Sequence, residues 1–131
     1  MKTLHLTLKK QWFDMIESGE KKEEYREIKP YWISRLVDWS GYPKESLYEH
    51  KNFAKDIYYD IKQGEDPNDV IKYYFSKVNQ FDRVIFKNGY SGGAPLISFS
   101  SPIISIDDGR PEWGAEPGKK YFVIKLGDKI K

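Results

Sequence analysis

Cysteine is absent from all 131 residues, which removes disulfides, cysteine-ligated zinc and thiol catalysis together. Histidine is scarce: His5 and His50 stand far apart and make no metal constellation, so neither a metal nor another cofactor is expected. No apolar signal region and no run of about eighteen apolar residues occurs, so the expectation is a cytoplasmic protein with no signal peptide and no membrane span. A preponderance of one charge is lacking too. Lys and Arg number 22 against 20 Asp and Glu, a net charge of +2 with a sequence pI near 8.6. This is short of the basicity of a domain coated for nucleic acid, so an anionic partner has to meet a local patch or a pocket. Aromatic residues are plentiful, at 16% with ten Tyr and four Trp. Large rings build cores, and a surplus on a concave surface suits stacking on nucleobases.

The length suits one domain with a buried core. Alternation over residues 3–8 predicts a strand with Leu4, Leu6 and Leu8 on one face and Thr3, His5 and Thr7 on the other. Leu8, Trp12, Met15 and Ile16 recur at i, i+4, i+7 and i+8, one face of a helix that Gly19 ends. Residues 22–28 alternate again and run into Pro30, which favours extended backbone at Lys29. On that strand Lys22, Glu24, Arg26 and Ile28 share one face, while Glu23, Tyr25 and Glu27 share the other. A Glu two residues from an Arg on a face ending in Ile28 is unusual for packing alone. The competing reading is a solvated edge strand laced with ion pairs.

Further along, residues 31–37 read as a short helix or turn with Trp32 and Leu36 at i, i+4, and Gly41-Tyr42-Pro43 as a break. From about residue 44 to 63, a stripe of Leu47, His50, Ala54, Ile57, Tyr58 and Ile61 predicts a helix ended by Gly64. Asp66 and Pro67 cap a second helix that turns Val70, Ile71, Tyr74 and Val78 inward. Such apolar stripes need a partner surface, so this hairpin is expected to pack on the domain as a flap or a buttress. After Asp82 come strands. Residues 83–87 form one, and the turn-rich 88–95 loop lacks the Gly-Lys-Ser/Thr ending of a phosphate loop. Residues 96–106 read as a long strand whose phase slips at Ser100-Ser101-Pro102, which predicts a bulge at a barrel corner. A loop bearing Trp113, a last strand at 121–126 and a lysine-tipped tail follow. The expected fold class is α+β, a small, partly closed β-barrel flanked by helices.

Gly19, Lys21, Glu24 and Arg26, spaced GxKxxExR, resemble the signature of the ASCH domain, a member of the PUA-like superfamily. Leu4-His5-Leu6-Thr7-Leu8-Lys9, Lys29-Pro30-Tyr31-Trp32, Phe86-Lys87-Asn88-Gly89-Tyr90 and Glu112-Trp113-Gly114-Ala115 are similar to ASCH segments in the same order, so the resemblance covers residues 1–36 and 82–131. It implies a single PUA-like domain over residues 1–131 with a helical insertion at about 39–80. RNA, a nucleotide or a nucleoside is the partner it implies. One branch of the family removes the acetyl group of N4-acetylcytidine with a lysine at the position of Lys21, a threonine and a later glutamate. Here Glu24 holds the threonine's place, so the hydroxyl nucleophile is missing and that reaction does not carry over.

Lys21, Glu24 and Arg26 support two chemistries. In a wet cleft Lys21 and Arg26 hold a phosphate, Glu24 and Asn88 read polar base edges, and Tyr90, Trp32 or Trp113 stack. That makes the domain an RNA- or nucleotide-binding module, the leading reading. In a dry cleft a lysine of lowered pKa acts as a base beside a glutamate, making Lys21 and Glu24 catalytic in a hydrolase of a modified nucleoside or of RNA. A third reading keeps the Glu24–Arg26 pair as a strut of the barrel and nothing more. In either ligand-binding reading, Lys21, Glu24, Arg26, Asn88 and Tyr90 are expected to line one concave site.

Overall fold

The computed structural model describes residues 1–39, 47–74 and 78–130, and for residues 47–51 and 74 the backbone alone. The Gly41-Tyr42-Pro43 break, residues 75–77, and the side chains of Leu47, His50 and Tyr74 lie outside that description. The chain is α+β. In order it runs β1 (Thr3–Leu8), α1 (Lys10–Glu17), β2 (Glu23–Glu27), α2 (Pro30–Leu36), α3 (Leu47–Lys62), α4 (Pro67–Tyr74), β3 (Arg83–Asn88), β4 (Leu96–Ser100), β5 (Ile103–Asp108), a 3₁₀ turn (Pro111–Trp113), β6 (Lys120–Lys125) and β7 (Lys129–Ile130).

The strands form two sheets, β1-β3-β4-β7 and β2-β6-β5, and among the described residues no ladder closes them into a barrel. In the first, β1 lies parallel to β3, with Leu4 opposite Val84 and Leu6 opposite Phe86. On β3 and β4, Phe86 and Phe99 meet edge to face at 6.0 Å between centroids, a favoured geometry for rings. In the second sheet β6 is central, and its Tyr121, Phe122, Val123 and Ile124 are all buried. Phe122 and Ile124 face the main core, while Tyr121 and Val123 join Ala115 and Tyr25 in a small cluster on the opposite face. A strand covered on both faces reads as a continuous apolar run, as this one does.

The slip at Ser100-Ser101-Pro102 is not a bulge in one long strand. The chain leaves the first sheet at Ser100, turns through Ser101 at φ 44°, and enters the second at Ile103. Ile97 and Phe99 then face the core from one sheet, Ile104 and Ile106 from the other. The tail adds a further correction, for it pairs with β4 as β7. Its return passes so close to Ser100 that a Cβ on Gly127 would sit 2.0 Å from the Ser100 carbonyl oxygen, so glycine is required there.

Helix α1 buries Phe13 and Ile16, with Trp12 and Met15 half-buried at its edges, and Leu8 belongs to β1 instead. The helical hairpin is a buttress of the main core. Ala54 and Ile57 of α3 and Val70 and Ile71 of α4 are buried in the same cluster as Leu6, Phe86 and Phe122. Asn68 Nδ2 donates to the Ile106 carbonyl at 2.8 Å, tying α4 to β5. Asp66 caps α4 through its carboxylate, which accepts from the Asp69 N–H at 3.2 Å. The two ends of the helical segment are pinned together where the Asn79 N–H donates to the Leu36 carbonyl at 2.7 Å and Val37 bridges Val78.

Candidate functional site

The charged strand is where sequence and fold disagree with ordinary solvation. Gly19 ends α1 at φ +87°, and the Lys21 N–H then donates to the Met15 carbonyl at 2.9 Å. This local turn drops Lys21 beneath the helix, where it is 2% exposed. Lys29 is extended, at φ −124° and ψ 162°, as the following proline requires. On β2, Glu24 stands opposite Ile124 of β6, on the face that packs toward the core, and is 6% exposed. Although β2 is an edge strand, its central charge is not solvated.

Three charged groups compensate one another. Lys21 Nζ lies 2.9 Å from Glu24 Oε1 and donates to the Trp113 carbonyl at 2.8 Å. It also sits 4.4 Å from the centroid of the Trp12 ring and 5.4 Å from that of Tyr25. An ammonium has three donors, and two of them end on oxygens while the rings take the remaining charge. Glu24 Oε2 accepts from Arg26 Nη2 at 2.8 Å, and the same nitrogen donates to the Thr7 carbonyl at 3.1 Å. The Arg26 guanidinium rests 5.0 Å from the centroid of Trp32. Its Nε is buried and has no hydrogen-bond partner among the described residues. Charges taken out of water cost several kcal/mol each, a cost offset only by close pairing such as this. The trio still carries an excess positive charge, and Arg26 is its most accessible member, with 19% of the side chain exposed.

A cleft of about 740 Å³ opens over this cluster. Its walls are the end of β1 with Lys9 and Lys10, β2 from Glu24 to Glu27 with Lys29, the Trp12 and Trp32 rings, and the loop Asn88–Tyr90. The loop is anchored where the Gly89 N–H donates to the Leu8 carbonyl at 3.0 Å. Tyr90 stands out at the rim, 89% exposed. Glu24, Arg26, Trp32, Asn88 and Tyr90 therefore border one concavity. Lys21 does not border it, because its ammonium lies behind Glu24. Trp113 does not border it either. Its carbonyl takes the Lys21 proton, and its ring lies under Arg110 at 4.9 Å.

Trp12, Lys9, Lys10 and Lys29 join the cleft without having been singled out as site residues. Trp12 falls on the apolar stripe that the sequence predicts for α1, and the i, i+3 pair Phe13 and Ile16 is the signal that places it at the helix edge. Lys10 is paired with Asp14 at the α1 N-terminus, and Lys29 with Glu27 at 3.1 Å, whereas Lys9 has no ion-pair partner among the described residues. Tyr25 belongs to the opposite face of β2. Its hydroxyl donates to Glu23 Oε1 at 2.8 Å and accepts from the Arg110 N–H at 3.0 Å. Burial pushes the Tyr25 phenol far above its ordinary value, so it is a neutral strut.

Among the described residues no three His, Asp or Glu side chains gather as a metal site, and no helix is long and apolar enough to cross a membrane. Comparison with known proteins finds no family whose model matches this chain, no matching curated protein and no matching solved structure.

Proposed function

We propose that this chain is an ASCH-type domain of the PUA-like kind, its two sheets the halves of a partly closed barrel, and that the cleft binds RNA or a nucleotide. The observation that carries the reading is the Arg26 guanidinium, held by Glu24 and the Thr7 carbonyl, 5.0 Å from the centroid of Trp32 and open to the cleft. A fixed fork of donors is suited to phosphate oxygens, and a ring beside it is suited to a base. A carboxylate has about four acceptor sites. Glu24 uses two of them on Lys21 and Arg26, which leaves it able to accept from an exocyclic amine. Asn88 can donate and accept across the same space.

The buried state of Lys21 favours binding over hydrolysis. With its protons directed at Glu24 and the Trp113 carbonyl, it serves as a clamp on the carboxylate and has no lone pair free for a substrate. Titration of wild type with cytidine monophosphate and short RNA, alongside an assay for cleavage and deacylation, tests this. Arg26→Ala is expected to weaken binding about tenfold or more, the loss typical of a hydrogen bond to a charged group. Glu24→Gln, which keeps an acceptor, is expected to change affinity modestly. The hydrolase reading expects instead that Glu24→Gln binds normally and loses turnover by about 10²-fold or more. Absence of both binding and turnover contradicts the proposal and leaves the charged trio a structural strut.

A further inference from the structure

The cleft continues past Lys29. A second groove of about 310 Å³ shares Glu27 and Lys29 with it and runs beneath the turn between α3 and α4. Tyr58 and Ile61 of α3, with the turn residues Gly64, Glu65 and Pro67, form one wall, and Lys119 and Lys120 at the start of β6 form the other. Three lysines thus face one space. Lys29 and Lys119 share a single carboxylate oxygen, Glu27 Oε2, at 3.1 and 3.3 Å. Lys120 reaches Asp108 more loosely, at 3.4 Å. All these pairs are half-exposed, so each holds its partner weakly and can exchange it for a stronger oxyanion.

The far side of the same hairpin has the opposite sign. Asp60, Asp66 and Asp69, with Glu65 at the border shared with the groove, line a pocket of about 500 Å³ there. A polyanion leaving the first cleft meets lysines under the α3–α4 turn and carboxylates beyond it, so the favourable path follows the groove and stops at the hairpin.

Building on the nucleotide reading of the first cleft, we propose that the ligand is a single-stranded nucleic-acid segment several nucleotides long. The first cleft takes one nucleotide against Arg26 and Trp32, and Lys29, Lys119 and Lys120 hold the phosphates of its neighbours. On this account the hairpin is the second wall of a binding track as well as a buttress of the core.

The test compares uridine monophosphate with hexauridylate on the full chain. Wild type is expected to bind the hexamer about tenfold more tightly at low salt. The double variant Lys119→Ala/Lys120→Ala is expected to lose most of that advantage and to leave monophosphate binding unchanged. Its slope of log affinity against log salt should fall by about 1.4, two contacts at about 0.7 each on a single strand. Glu27→Gln supplies a gain that misfolding cannot imitate. It frees Lys29 and Lys119 of their internal carboxylate and is expected to tighten hexamer binding about two- to fivefold, the size of an exposed ion pair. Equal affinity for monomer and hexamer, an unchanged slope in the double variant, or equal binding of an oligoglutamate of matched charge overturns the track and leaves the first-cleft reading standing. Failure of both probes to bind, or an Arg26→Ala variant that binds the monophosphate normally, removes the nucleotide reading and the track with it.

Discussion

Lys21 and Glu24 are charged residues in core positions, so their value lies in being paired. Removing one partner leaves the other buried and uncompensated, which costs about 3–5 kcal/mol, whereas replacing both with neutral groups of similar shape costs much less. Lys21→Met is therefore expected to lower unfolding stability by about that amount in urea denaturation, and Lys21→Met/Glu24→Gln to recover a large part of it. A single variant as stable as wild type would show that water reaches the pair. Glu27 behaves differently because it is half-exposed. The Lys29 hydrogen bond holds its carboxyl below the ordinary 4.5, with burial pulling the other way and Lys119 adding to the lowering. A folded-state value below the unfolded one means that the contribution is present above about pH 4.5 and is lost as the pH falls through the folded value. Melting curves of Glu27→Gln should lie below wild type by at most a few degrees at neutral pH and converge with it toward acid. A gap that widens in acid would contradict the assignment.

Among the elements, the α3–α4 hairpin and the two-residue β7 make the sharpest tests. Ile57 is fully buried where α3 meets the main core, so Ile57→Ala is expected to cost about 2–5 kcal/mol in the whole molecule's unfolding transition. Deleting the hairpin should expose that apolar surface and lower both solubility and melting temperature. A deletion variant that is soluble and melts where wild type does would show the hairpin to be an independent appendage. Much of this layer was legible in local pattern: the alternation of β1, the Gly19 and Gly64 helix ends, the Asp66-Pro67 start of α4 and the extended Lys29 each follow from chemistry within a few residues. What escaped depends on distant partners. The phase slip at Ser101 marked a bend, but only the pairing of β4 with β3 and of β5 with β6 shows that the chain changes sheets there. β7 is too short and too exposed for any periodicity. Glu24, Arg26, Asn88, Tyr90 and Trp32 were expected as neighbours from a resemblance over residues 1–36 and 82–131, and they border one cleft. The burial of Lys21 was not readable, because it rests on a carbonyl 92 residues away.

At the scale of the whole molecule, a net charge of +2 gives little long-range pull on a polyanion, so recognition has to be local. The fold concentrates Lys9, Lys10, Arg26 and Lys29 around one opening lined by Trp12, Trp32 and Tyr90. The four tryptophans divide usefully: Trp12 and Trp32 border the cleft, Trp39 packs on the core, and Trp113 lies outside the cleft. The most direct measurement is an NMR titration of ¹⁵N-labelled protein with cytidine monophosphate, following the four indole N–H signals and the Asn88 side-chain amide. Binding in the cleft predicts that Trp12, Trp32 and Asn88 shift together along one saturating curve while Trp39 and Trp113 stay in place, and that Arg26→Ala flattens the curve. Signals that do not move at all, or that move only at Trp39 and Trp113, would contradict a nucleotide site in this cleft.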